Sequence, residues 1–160
     1  MTQPVRLWIE TTHHAAFRYG GWGFVRDDRG AVSGQAGGER NVTAARIDLM
    51  ALIAALQGLA PGAAVDVISA SPGLAAAARI LAARSAAGPE GAPGEDLDLW
   101  ARALQLSSGL ALTVRPAPRP PTGPAAFCFA WAEVGRDKAK GQGWFSAAIP
   151  RPNLSRLVLP

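Results

Sequence analysis

Thr43-Ala44-Ala45-Arg46-Ile47-Asp48-Leu49-Met50-Ala51 opens an apolar run that continues through Leu52-Ile53-Ala54-Ala55-Leu56 to Gln57. Its length and apolar, alanine-rich composition predict a helix, capped by Asn41 or Thr43 and ending near Gly58. Asp48 is the only charge between Ile47 and Leu56. A carboxylate set among side chains that bury is costly unless something pairs with it. The pairing group is either a cation or a metal ion shared with a second acid. Glu10, which closes the apolar run Val5-Arg6-Leu7-Trp8-Ile9, is the candidate second acid. The competing expectation is structural: both acids face solvent at a sheet edge or pair with Arg46 or Arg6.

Working outward from this helix, Val5–Glu10 reads as a strand from its β-branched and aromatic content. Gly20–Arg26 reads as a second strand entered through glycines, Asp27-Asp28-Arg29-Gly30 as a turn, and Ala31–Gly37 as a third strand. Beyond the helix, Pro61-Gly62 breaks the chain and Ala64–Ser69 is a fourth strand. A second helix follows from Gly73 to about Ala87, with Ser71 as cap and Pro72 in its first turn. Gly88–Gly94 reads as a loop, and Glu95-Asp96 start a third helix that runs through Trp100 to Ser107. Leu110–Arg115 is a fifth strand, and Pro116–Pro124 holds five prolines in nine residues and must be irregular. In Ala125–Lys140 the aromatic residues fit either a helical stripe or a strand alternation. The alanine content favours a helix frayed over Gly135–Gly141; the strand reading makes that stretch a hairpin loop before Trp144–Ile149. A meander followed by a βαβ unit predicts a mixed five-stranded α/β sheet with helices on its faces.

The 160 residues suit one domain with a proper core. Half the chain is apolar and under a fifth is charged, which excludes a disordered chain. The single Cys128 allows no intrachain disulfide and fits a reducing, cytoplasmic compartment. The lack of a leader or an apolar run of about 18 residues argues against secretion and membrane spanning. The net charge of +4 is uneven: residues 1–114 carry nine basic and ten acidic side chains, residues 115–160 seven and two. Arg115, Arg119, Arg136, Lys138 and Lys140, with Arg151 and Arg156, make a basic end. Such an end attracts nucleic acid, or is merely a solvated tail.

The element order and several strings together resemble the ribonuclease H family. The first strand ends in an acid, and Gly20-Gly21-Trp22-Gly23 matches the family's approach to its second strand. Thr43–Ala51 resembles the family's Thr-Asn-Asn-Arg-Met-Glu-Leu-Met-Ala helix opening. Asp98-Leu99-Trp100 resembles the Asp-Leu-Trp that begins the helix before the last strand. The similarity covers about residues 5–115, within a domain expected over 1–141 and followed by a C-terminal extension, 142–160. It implies cleavage of RNA in RNA–DNA hybrids by two Mg²⁺ ions on four carboxylates, which stabilise the attacking and leaving oxygens.

The chain departs from that pattern at the metal positions. Glu10 stands for the family's Asp, and Asp48 for its Glu. Ala70, in Ser69-Ala70-Ser71, replaces the third acid. Ala130 falls at the fourth, with Glu133 nearly a turn later as the candidate substitute. Ala44 and Ala45 replace two asparagines that contact nucleic acid, and the Pro-rich segment lacks the family's mobile histidine. The expectation is a catalytically degenerate ribonuclease H-like protein that retains nucleic-acid or protein binding, with no cofactor required. Its alternatives are an active Mg²⁺- or Mn²⁺-dependent nuclease using Glu10, Asp48 and Glu133, and a protein-interaction module or homodimer using the apolar C-terminal segment.

Other candidates have plainer expectations. His13 and His14 form a pair that suits a metal, but read as exposed loop residues between the first two strands. Ser69 and Ser71 are nucleophiles only beside a base. Trp8 and Trp22 suit base stacking but read as core, and Cys128 reads as inert packing.

Overall fold

The computed structural model describes residues 3–84 and 95–160. A mixed sheet holds β1 (Val5–His14), β2 (Tyr19–Asp28), β3 (Ala31–Arg40), β4 (Ala64–Ser69), β5 (Ala111–Pro116) and β6 (Trp144–Ala148). The strand order is β5-β4-β1-β2-β3-β6, so the sheet has six strands rather than five. β1, β2 and β3 form the expected antiparallel meander. β4 lies parallel to β1, and β5 parallel to β4. The extra strand, β6, comes from beyond residue 141 and pairs antiparallel with β3. Its alternation was legible only on the hairpin reading of the segment before it.

α1 (Ala44–Leu56) carries the string that opened the sequence analysis, and Thr43 caps it by accepting the Arg46 N–H at 3.1 Å. α1 packs on β1 and β2 through Ile47, Leu52, Ala55 and Leu56, joined by Leu7, Ile9, Trp22 and Phe24. Each such large aliphatic side chain contributes about 1.5–3 kcal/mol when fully buried. α2 (Pro72–Arg84) and α3 (Leu97–Ser107) flank α1 on this side. The expected loop at Gly88–Gly94 and the expected end of the second helix at Ala87 lie outside the described residues.

α4 (Gly123–Gln142) covers the other face, against β1, β2 and β3. The helical reading of this stretch holds, and the helix continues through the glycine- and lysine-rich stretch instead of fraying. Glycines explain the close docking. A Cβ on Gly21 would collide with the Ala132 carbonyl, one on Gly38 with the Gly135 carbonyl, and one on Gly135 with the Gly37 carbonyl. Helix backbone therefore rests on sheet backbone, an approach that larger residues forbid. A second apolar cluster, Trp8, Val25 and Cys128, lies on the α4 side of the sheet. Leu154, Leu157 and Leu159 pack on it from beyond α5 (Arg151–Leu154) and from its last residue. The apolar C-terminal residues thus cover the chain's own sheet. No helix among the described residues is long and apolar enough to cross a membrane.

Candidate functional site

β1 pairs with β4 only as far as Trp8 opposite Ile68, while its pairing with β2 continues to His14. The two parallel strands part where the connections switch direction, the usual place for a ligand crevice in an open α/β sheet. A cleft of about 720 Å³ opens there, lined by Glu10, Asp48, His13, Ala70, Ser71 and Arg119 among others. Strand alternation brings Thr11 and His13 toward α1 and Thr12 toward α4.

Both carboxylates are buried, Glu10 at 1% exposure and Asp48 at 9%. The edge placement expected for them is wrong, because β1 is a central strand with neighbours on both sides. The alternative pairing with arginine is wrong too. Arg6 bonds Asp27 at 2.6 Å, and Arg46 reaches Asp96 and Asp98 at the start of α3. Hydroxyls and backbone amides meet the buried acids instead. The Ala70 N–H donates to Glu10 Oε2 at 2.7 Å, and the Ser71 hydroxyl donates to Oε1 at 2.8 Å. The Thr11 N–H donates to Ser71 Oγ at 3.3 Å, and the Thr11 hydroxyl donates to Asp48 Oδ1 at 2.7 Å. One hydrogen-bonded chain therefore runs from Glu10 through Ser71 and Thr11 to Asp48.

Burial raises the Glu10 pKa, opposed by the Ala70 and Ser71 hydrogen bonds and more weakly by the Arg119 charge. Burial likewise pushes Asp48 up to about 6, against the Thr11 hydrogen bond and the nearby His13. Asp48 Oδ2 faces Gly73 in the first turn of α2, where a Cβ would stand 2.6 Å away. Glycine is thus needed at residue 73 to admit the carboxylate.

Several expected site residues go elsewhere. Glu133 does not line the cleft; it is half-buried on α4, with its carboxylate 3.8 Å from Arg136. Arg136 also bonds Thr12 and Asp137. Arg115 pairs with Asp66 on the far strands, and Lys138 is exposed on α4. Lys140 lies over the Tyr19 ring. Of the five basic candidates, only Arg119 enters the cleft.

His13 and His14 are not exposed loop residues, because β1 runs on through both. His13 bonds the Val42 carbonyl through Nε2 at 2.7 Å and lines the cleft. Ser71 does not cap α2 with its side chain, since that hydroxyl is bound to Glu10; only its carbonyl joins the helix, accepting the Ala75 N–H. Trp8, Trp22 and Cys128 are core, and the Cys128 thiol pKa is pushed well up by burial. Thr11, Gly73 and the site role of Ser71 escaped the sequence reading. Extending the period-2 alternation of β1 past Glu10 would have found Thr11 and His13.

The residues present do not fit the two-ion centre that the family uses. Among the described residues no three His, Cys, Asp or Glu side chains cluster as a metal site. Both Glu10 oxygens accept hydrogen bonds. Each oxygen keeps a second lone pair, so these bonds fix the carboxylate's orientation without filling it.

No family model matches this sequence, and no curated protein matches it. Solved structures do. The N-terminal RNase H domain of Rv2228c from Mycobacterium tuberculosis superposes with a TM-score of 0.61 at 18% identity, covering 87% of this chain and 97% of that one. RNase H1 from Halobacterium salinarum gives 0.56 at 19% identity, over 86% and 100%. LC9-RNase H1, described as a type 1 RNase H with the type 2 active-site motif, gives 0.63 at 18% identity, over 98% and 81%. The fold of this chain is ribonuclease H-like.

Proposed function

We propose that this ribonuclease H-like domain no longer cuts RNA–DNA hybrids and uses the cleft to bind nucleic acid. The observation that carries this reading is Ala70, which brings no carboxylate to the cleft and meets Glu10 only through its backbone N–H, donating to Oε2 at 2.7 Å. In the family pattern, residue 70 would supply a carboxylate. Here its amide instead donates to the neighbouring acid, so local dipoles rather than a cation stabilise the buried charge. Phosphoryl transfer by two ions needs oxygens that flank both, and two separated carboxylates do not supply them. Arg119 in the cleft, with Lys140 beside the adjoining strands, supports attraction of a phosphate backbone.

The test is a labelled RNA–DNA hybrid incubated with Mg²⁺ or Mn²⁺, alongside anisotropy titrations of the same hybrid without metal. Salt-sensitive binding without cleavage is expected. Metal-dependent cleavage that disappears in Asp48→Asn would establish the second reading, an active nuclease. That reading draws on the description of LC9-RNase H1, in which one type of the fold carries another type's motif.

A further inference from the structure

The turn between β1 and β2 carries an exposed aromatic feature that the cleft does not use. Tyr19, His14 and Phe17 form a pile of three rings. His14 lies 5.2 Å from Tyr19 at an interplanar angle of 7° and 5.0 Å from Phe17 at 29°. Tyr19 is buried at the base, whereas Phe17 at the top is 71% exposed. An exposed phenyl ring at the end of a stack lacks a partner on its outer face and leaves apolar area in water.

Two cations share the face of the pile, and a third follows Phe17 in the turn. Lys140 lies over Tyr19, and the Arg40 guanidinium bonds the Lys140 carbonyl at 3.4 Å. Arg40 is opposite Tyr19 in the β2–β3 register, so its side chain rises on the same side. Arg18 follows Phe17 directly, held by Arg18 N–H to His14 O and Val42 N–H to Arg18 O. Glu133 and Asp137 offset Arg136, which leaves the net positive charge with Arg18, Arg40 and Lys140.

We propose that Phe17 stacks an unpaired base of a single-stranded nucleic acid, with Arg18, Arg40 and Lys140 meeting the flanking phosphates. A flat ring continuing a stack, beside cations that track a backbone, is how single strands are held without sequence readout. Bases inside a duplex are covered on both faces by their neighbours, so the feature favours single strands and overhangs. The proposal rests on the nucleic-acid reading of the cleft and extends it to a second point of contact on the α4 side of the sheet, where Thr12 lines the cleft and bonds Arg136 of that helix.

The test uses fluorescein-labelled oligothymidine, oligouridine and a blunt RNA–DNA hybrid, read by anisotropy at several salt concentrations. Phe17→Ala should weaken single-strand binding about ten-fold or more, the effect of losing one base stack. Hybrid binding and the salt slope should stay unchanged. Phe17→Trp should bind single strands at least as tightly as wild type, which excludes misfolding as the cause. Arg40→Ala should lower the salt slope by roughly one phosphate contact. Single-strand affinity indifferent to Phe17→Ala, with the hybrid still bound, overturns this inference and leaves the cleft reading standing. If neither single strands nor hybrid bind, both are overturned.

Discussion

Replacing Asp48 by asparagine should stabilise the protein at neutral pH and do almost nothing near pH 4. Asparagine has the same shape, and its carbonyl oxygen can still accept the Thr11 hydroxyl that now bonds Oδ1. What it removes is a buried charge. The carboxyl pKa rises from 3.8 in the unfolded chain to about 6 in the fold. The folded state therefore binds the proton more tightly than the unfolded state. The Asp48 contribution to stability must therefore fall as pH rises from about 4 to about 6, and the loss is complete above that window. A shift of about two pH units corresponds to about 3 kcal/mol. Glu10 is raised in the same direction, so the wild-type curve contains both groups. The difference between wild type and Asp48→Asn isolates one. Urea unfolding at pH 4, 5, 6, 7 and 8, with the slope checked for constancy, measures it. An asparagine variant that is less stable than wild type at pH 7, or whose gain is equal at pH 4 and pH 7, would refute the claim that desolvation dominates this carboxylate.

Three further outcomes are expected. Gly135→Ala should destabilise the fold by at least about 2 kcal/mol, because the new methyl meets the Gly37 carbonyl and neither backbone can yield. Gly141→Ala on the same helix faces open space and should be neutral or stabilising by up to about 1 kcal/mol; thermal melts of the pair separate docking from propensity. Ser71→Ala removes the donor to Glu10 and the acceptor of the Thr11 amide, and should cost about 1–3 kcal/mol in chemical denaturation. Ala70→Asp should lower the melting temperature at neutral pH by adding a carboxylate beside Glu10, with Mg²⁺ restoring it in the variant but leaving wild type unmoved. A wild-type melting temperature that climbs with Mg²⁺ contradicts the degenerate-site reading.

Much of the fold was legible because local and global signals agree. Thr43 caps the helix it precedes, Gly21 and Gly23 sit where the sheet meets α4, and Pro61-Gly62 separates α1 from β4. β6 was harder to read, because Trp144–Ala148 is mostly exposed and needs only the β3 edge, a partner about a hundred residues away. The site was half legible. A lone charge in an apolar run identified Asp48, and an acid closing the first strand identified Glu10. Their partners did not announce themselves, since a backbone amide has no sequence signature and a serine before a proline reads first as a helix cap. The basic end dispersed for a similar reason. Strand and helix register, not proximity in sequence, decides that Arg119 enters the cleft while Arg115 turns to Asp66.

Two buried carboxylates in a cleft proposed to receive phosphates set up an opposition that pH can relieve. Above about pH 6, Asp48 presents a negative charge in the cleft that Arg119 also lines. As the pH falls through 6, Asp48 gains its proton, because its pKa lies there. The repulsion removed from one phosphate at about 6 Å is on the order of 1 kcal/mol in a water-rich cleft, or several-fold in affinity. Hybrid binding at constant salt should therefore tighten between pH 7.5 and pH 5.5. Asp48→Asn should bind at pH 7.5 as wild type does at pH 5.5, and should lose most of the pH dependence. A His13→Gln control removes the cleft's imidazole. If His13→Gln abolishes the dependence and Asp48→Asn leaves it intact, the imidazole governs the cleft and the carboxylate does not. The retained acid would then have to be explained by Thr11 and Gly73 alone, as a strut between β1 and the start of α2.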